Sequence, residues 1–237
     1  MENDIFFEPY RGPKYGEPNN FFNGKKILVV GHNHHCTIER FPARSVCRRT
    51  CQTYIQDPTL CKNKTFTVVN DYIGKLKLVK ENKDSKNSNH DRTLYNFGKF
   101  LTGNDKLEDI IKAYESIAFY NFCQFGVISQ GKKPNKWMYR NSENSLFKVI
   151  DLYKPDIILV WGIANIFYNI ENHQFTEYSD IKVNGEHIDF RTYEISGYKY
   201  NFIGMDHPAK PGYDPFKLRN ILKQIQPISS QINGVII

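Results

Sequence analysis

Residues 26–33 read Lys-Ile-Leu-Val-Val-Gly-His-Asn, and this stretch sets the reading of the whole chain. Its continuous apolar run suits a strand covered on both faces, as the strands of parallel sheets are. The strand is expected to stop at Gly31, where His32, Asn33, His34, His35 and Cys36 take over. In open parallel sheets ligands settle outside the carboxyl ends of strands, so polar residues at such ends are the first candidates for function.

The same form recurs along the chain. Residues 117–122, Ile-Ala-Phe-Tyr-Asn-Phe, read as a buried strand with Asn121 near its end. Residues 156–161, Asp-Ile-Ile-Leu-Val-Trp, end in Gly162 and lead into an apolar helix expected over 163–170. A last strand at about 200–205 leads to Asp206-His207-Pro208. Helices are expected near 106–114, over 142–153 and over 214–224. In the second, Leu146, Val149, Ile150 and Tyr153 fall at helical spacing and Pro155 closes the helix. Asn184-Gly185 is a two-residue hairpin signal, so an antiparallel ribbon precedes the last strand. This alternation predicts an α/β fold, a three-layer α/β/α sandwich with a central, mainly parallel sheet.

Two stretches lack periodicity. Residues 31–60, rich in His, Arg and Cys, read as a long loop with short helical pieces, so a Cys/His-rich insertion at about 32–64 is expected. Residues 80–92 begin Lys-Glu-Asn-Lys-Asp-Ser and contain no apolar residue, the composition of a solvated excursion. Neither is a domain linker, there is no internal repeat, and 237 residues with 40% apolar content fit one domain over 1–237.

No apolar run reaches the roughly 20 residues of a membrane span. The acidic, aromatic N-terminus is unlike a signal peptide. A soluble, intracellular and therefore cytoplasmic protein with no membrane partner is expected. A formal net charge of +7 favours polyanionic partners, and 14% aromatic content supplies rings for base stacking as well as for a core. Arg40, Arg44, Arg48 and Arg49 form one basic group. Lys132, Lys133, Lys136 and Arg140, interleaved with Trp137 and Tyr139, form a better platform for single-stranded nucleic acid, and Lys210 adds a further cation. The simpler reading of either group is a solvated surface.

The order of strand-end motifs resembles the uracil-DNA glycosylase superfamily. Gly31-His32-Asn33 stands for that family's Gly-x-Asp/Asn-Pro, Phe119-Tyr120-Asn121-Phe122 for the strand with a base-reading Asn, Trp161-Gly162-Ile163-Ala164 for the Trp-Gly or Leu-Gly turn before Ala, and His207-Pro208-Ala209 for His-Pro-Ser. The likeness spans residues 26–222 and rests on short motifs whose order carries the weight. It implies a DNA glycosylase-like hydrolase that cleaves the N-glycosidic bond of a damaged or modified base of the uracil type. Asn33 would position the attacking water, His207 would donate to the leaving base, and Asn121 would read the base edge. Gly31, His32, His34 and Asp206 would complete the base site. Phe66 is the candidate stacking ring, with Phe41 and Tyr72 as competitors. His34 departs from the family pattern, occupying the position of its Pro. A non-catalytic module that binds a modified base or nucleotide through the same pocket is the alternative.

The chemistry agrees with those residue types. Glycosidic cleavage passes through an oxocarbenium-like sugar and an anionic leaving base, so donors at the base and a held water at the sugar are required. An Asn amide carries a donor and an acceptor together, which lets it distinguish base edges. Each residue also has a structural reading: His207 as a turn cap, Asn121 as a satisfied strand-end polar group, Trp161 as core.

No cofactor is needed for such chemistry. Cys36, Cys47, Cys51 and Cys61 have the ligand count of a structural zinc or iron-sulfur cluster, although gaps of ten, three and nine residues match no common zinc spacing. Buried thiols are the simpler account, as for the isolated Cys123. A third possibility is a metal-dependent hydrolase using His32, His34 and His35 with Glu39.

Overall fold

The computed structural model describes residues 5–35, 61, 63–80, 89–127, 134–162, 166–170, 174–183 and 186–224. In chain order these form β1 (Tyr10–Arg11), β2 (Ile27–His35), α1 (Lys64–Lys80), α2 (Asn89–Thr102), α3 (Leu107–Glu115), β3 (Ile117–Val127) and α4 (Lys136–Tyr153). There follow β4 (Ile157–Trp161), a 3-10 turn at Phe167–Asn169, β5 (Phe175–Val183), β6 (Glu186–Ile195), β7 (Tyr198–Met205) and α5 (Pro215–Gln224). All seven strands join one sheet in the order β1-β3-β2-β4-β7-β6-β5. The four central strands run parallel, and β1, β6 and β5 extend the two sides antiparallel.

Alternation along the strands makes two cores. Ile27, Val29, Ile117, Phe119, Leu159 and Ile203 point to one face and pack with residues of α1, α2, α3 and α5. Leu28, Val30, Ala118, Tyr120, Ile158 and Phe202 point to the other and pack against α4. Both faces are apolar, so the central strands carry continuous hydrophobic runs. The expectation of α/β alternation with a largely parallel sheet centre is met. Among the described residues no helix is long and apolar enough to cross a membrane.

Several boundaries differ from the sequence reading. β2 does not stop at Gly31 but continues to His35, because β3 runs beside it to Val127 and supplies partners: Gly31 faces Asn121, Asn33 faces Cys123 and His35 faces Val127. A ladder of backbone hydrogen bonds needs no apolar side chains, so hydropathy hides this half of the strand. Helices α1 and α2 were not expected. Their buried residues nevertheless keep helical spacing, Val69, Tyr72, Ile73 and Leu76 in α1, and Leu94, Phe97 and Leu101 in α2. The solvated excursion expected over 80–92 gives way to α2 at Asn89.

α4 begins six residues before the expected 142, since Asn135 accepts the Met138 N–H at 2.9 Å and caps it. It ends on Lys154, which takes a left-handed conformation (φ 46°) before Pro155. Of the apolar helix expected over 163–170, residues 163–165 lie outside the described ones; Ile166 is helical, and the 3-10 turn follows it at Phe167–Asn169. Asp214 caps α5, accepting the Phe216 and Lys217 N–H groups at 2.9 and 3.1 Å. β5 and β6 pair with Val183 opposite Glu186, the register that a turn at Asn184-Gly185 demands, although those two residues lie outside the described ones.

Two buried cations tie elements together. Arg219 on α5 donates to the Phe100 and Leu101 carbonyls at 2.7 and 2.6 Å, satisfying the C-terminal end of α2. Burial pulls its guanidinium down to about 10. Arg191 on β6 forms a two-point pair with the fully buried Asp189, at 3.0 and 3.1 Å, and lies 4.5 Å over the Phe167 ring.

Candidate functional site

The connection from β2 leads to β3 on one side, whereas β4, on the other side of β2, leads on to β7, so the strand order reverses between β2 and β4. Open α/β sheets bind ligands outside the carboxyl ends at such a point. A cavity of about 390 Å³ lies here. Its sheet wall is Gly31 to His34 of β2, Phe119 and Asn121 of β3, Trp161 of β4 and His207 just beyond β7. Its helical wall is Lys64, Thr65, Val68 and Val69 of α1 with Thr93 and Leu94 of α2.

Strand parity explains the floor. Gly31 and Asn33 follow Ile27 and Val29 on the α1–α3 face, and Asn121 follows Ile117 and Phe119. Gly31 must lack a side chain, because a Cβ there would stand 2.3 Å from Asn121 Oδ1 and 3.0 Å from the Phe119 ring. His32 has the opposite parity and stacks on Tyr139 of α4, with its Nε2 2.5 Å from the hydroxyl. Burial, and secondarily Cys123, pushes that phenol up to about 12.

His34 has the parity of His32 yet contacts the opposite helix layer. The register between β2 and β3 shifts between Asn33 and His35, and such irregularities re-aim side chains. His34 Nε2 lies 2.8 Å from Thr65 Oγ1. The Asn121 Nδ2 lies 3.2 and 3.0 Å from His34 Nδ1 and Nε2. Phe7 meets the ring edge-on at 4.6 Å. Phe7 is itself held with Phe6 by Gln124 Oε1, which accepts both backbone N–H groups at 2.8 Å, while Gln124 Nε2 donates to the Asn121 carbonyl at 2.7 Å.

The His207 loop is fixed from both sides. Gly162 N–H donates to the Met205 carbonyl at 2.9 Å, Lys210 N–H to the His207 carbonyl at 2.8 Å, and Asn96 of α2 to the Pro208 carbonyl at 3.2 Å. The His207 ring stands edge-on to Trp161 at 5.7 Å. Its Nδ1 accepts the Ala209 N–H at 3.1 Å, so the neutral ring carries its proton on Nε2 and is a donor there.

Of the residues singled out from sequence, Gly31, His32, Asn33, His34, Asn121 and His207 therefore share one cavity although they come from two strands and the loop after a third. Asn33 sits in the wall with its amide 3.5 Å from the His34 carbonyl. Phe66 does not line the cavity: it is half exposed, 6.1 Å from Tyr10, and its neighbour Thr65 takes the inward position. Asp206 also stands outside the wall and pairs with Lys210 at 2.5 Å. Lys136 and Arg140 are exposed near the start of α4, beside Trp137, whose ring packs on Phe125 at 5.0 Å. As α4 follows β3, they stand at the sheet edge that carries the cavity. Lys132, Lys133, Cys36, Cys47, Cys51, Phe41 and Glu39 lie outside the described residues, as does the His35 side chain. Cys61 is half-buried and forms no disulfide among the described residues, and no cluster of three potential metal ligands occurs among them.

Sequence reasoning missed Lys64, Thr65 and Thr93. The available signal was Asn63-Lys64-Thr65 ahead of apolar residues at helical spacing, a helix start following a strand. The cavity wall thus carries Lys64 and three histidines and, among the described residues, no carboxylate.

Comparison with known protein families, with curated proteins and with solved structures finds no match to this chain.

Proposed function

We propose that this chain is a DNA glycosylase-like hydrolase with a three-layer fold of the uracil-DNA glycosylase kind, acting on a damaged or modified base of the uracil type. The observation that carries the reading is the meeting of Asn33, Asn121 and His207 at one cavity on the carboxyl edge of the parallel strands. A volume near 390 Å³ suits a flat heterocycle, and Phe119 and Trp161 give it aromatic walls.

In this reading the base leaves the duplex or single strand and enters the cavity. The C1′–N bond breaks with its electron pair going to the base, and His207 Nε2–H donates to the base oxygen where that charge gathers. Asn121 meets the base edge. Asn33 holds the water whose oxygen bonds to C1′ and whose proton is released. The Lys64 ammonium favours an anionic leaving group through its field. Lys136, Arg140 and Lys210, together with Lys132 and Lys133, supply phosphate contacts on the strand. The chemistry needs no cofactor, and the cysteine set would hold a structural zinc or iron-sulfur cluster, which elemental analysis of purified protein tests.

The second reading, a module that binds a modified base or nucleotide without cleaving it, is favoured by one observation. No carboxylate among the described residues lines the cavity to activate water or to stabilise a cationic sugar. Oligonucleotides carrying uracil, hypoxanthine or other altered bases separate the two. After incubation and heating in alkali, strand breaks at the altered base support the hydrolase; retained, intact oligonucleotide supports the binding module.

A further inference from the structure

We infer that Lys64 is the phosphate-binding residue of the cavity, so that the ligand taken there is a nucleotide unit, base and phosphate together, and not a bare base. The inference rests on the base-handling reading above and deepens it.

The charge of the wall is one-sided. Among the described residues that line the cavity, Lys64 at the start of α1 is the only Lys, Arg, Asp or Glu. An ammonium carries donors and no acceptor, and among the described residues no hydrogen bond or ion pair engages this one. Lys64 is also partly buried, so its charge is incompletely hydrated and its attraction for an anion is stronger than in bulk water. With no carboxylate in the described wall, the anion that answers it comes with the ligand.

Polarity is divided along the same wall. Helix α1 brings Lys64 and Thr65 to the cavity from its first turn and Val68 and Val69 from its second, a step of about 5.4 Å along the axis. Phe119 and Trp161 give the sheet wall its rings. A nucleotide has the matching division: a flat base for the rings and the valines, a phosphate for the ammonium, and a sugar to span the step between them. Size agrees, because about 390 Å³ lies in the range of pockets that enclose drug-sized ligands, and a pyrimidine base is smaller than these and leaves room beside it. In the hydrolytic reading the ammonium offsets the phosphate charge, which would otherwise oppose the charge gathering on the departing base.

The test is calorimetry on the full chain with uridine, uridine 5′-monophosphate, ribose 5-phosphate and a trinucleotide centred on deoxyuridine, in the parent, in Lys64→Gln and in Lys64→Arg. In the parent the monophosphate should bind about tenfold or more tightly than uridine, as a hydrogen bond between charged partners allows. That gap should close in Lys64→Gln, stay within about threefold of the parent's in Lys64→Arg, and narrow as salt is raised. A trinucleotide that binds more tightly than the monophosphate, with the same dependence on Lys64, supports the inference with a strand as the source of the nucleotide; the reverse order supports it with a free nucleotide. Ribose 5-phosphate bound through Lys64 as tightly as the monophosphate keeps the phosphate site and counts against the base-handling reading alone. A parent that binds neither the monophosphate nor the trinucleotide better than uridine overturns the inference without recourse to any variant. An undiminished gap in a Lys64→Gln protein whose circular dichroism matches the parent overturns it as well.

Discussion

Replacing Gly31 by alanine adds one methyl group where the wall of the cavity is tightest. Its Cβ would lie 2.3 Å from Asn121 Oδ1 and 3.0 and 3.3 Å from two carbons of the Phe119 ring. To reach a tolerable contact the amide oxygen must retreat by about 0.7 Å, which pulls Asn121 from His34 or pushes β3 from β2; overpacking of this kind costs about 1–3 kcal/mol. Gly31 does not have a positive φ, so no backbone strain adds to this. The smaller conformational freedom of alanine in the unfolded chain returns about 0.4–1 kcal/mol. A net loss of about 1–2 kcal/mol is expected, a fall in Tm of about 2–8 °C for a chain of this size. Asn121→Ala alone should cost about 1–3 kcal/mol, because it leaves the buried His34 ring short of a partner. In the double variant the new methyl occupies space vacated by the amide, so the two losses should fall short of additivity by about 1 kcal/mol. Urea denaturation of the four proteins measures the cycle. A Gly31→Ala protein as stable as its parent, or losses that simply add, would refute the close approach of Gly31 and Asn121.

His207→Ala should lower turnover on a uracil-containing strand by about 10²–10³ while leaving the denaturation midpoint almost unchanged, as removal of one oxyanion donor does; a kinetic profile equal to the parent removes His207 from the mechanism. Arg191→Met leaves the fully buried Asp189 carboxylate without its partner, at a cost of about 3–5 kcal/mol, and adding Asp189→Leu should recover most of the loss. Equal instability of the single and double variants would show that the pair itself stabilises the hairpin. The phenols of Tyr10, Tyr15 and Tyr114 are raised by burial, and that of Tyr139 is pushed up to about 12. Unfolded tyrosines ionise near pH 10, so the unfolded chain releases protons first. The stabilisation is therefore full below about pH 10 and lost as pH rises towards about 12. Phenolate absorbance should rise in two steps, exposed rings first and buried rings together with unfolding; a single smooth titration with circular dichroism unchanged would contradict it.

What the sequence determined is what short-range patterns encode. Runs such as Ile27 to Val30 and Ile157 to Val160 are apolar because both their faces are covered, and that is visible without knowing what covers them. Asn33, Asn121 and His207 were legible for the same reason, since a switch from apolar to polar residues marks where a buried run meets the crevice, although β2 and β3 themselves run on to His35 and Val127. Tertiary structure alone decided which of these residues face one another. The second half of β2 is a strand only because β3 lies beside it, and no periodicity in Gly-His-Asn-His-His announces a partner. The irregularity near Asn33 turns His34 towards α1, and Thr65 rather than Phe66 reaches it because the helix is rotated by the packing of Val69, Tyr72, Ile73 and Leu76 on the sheet. Parity and rotation of that kind depend on contacts between residues far apart in the chain, so side-chain direction at the site is a property of the packed molecule and not of any local segment.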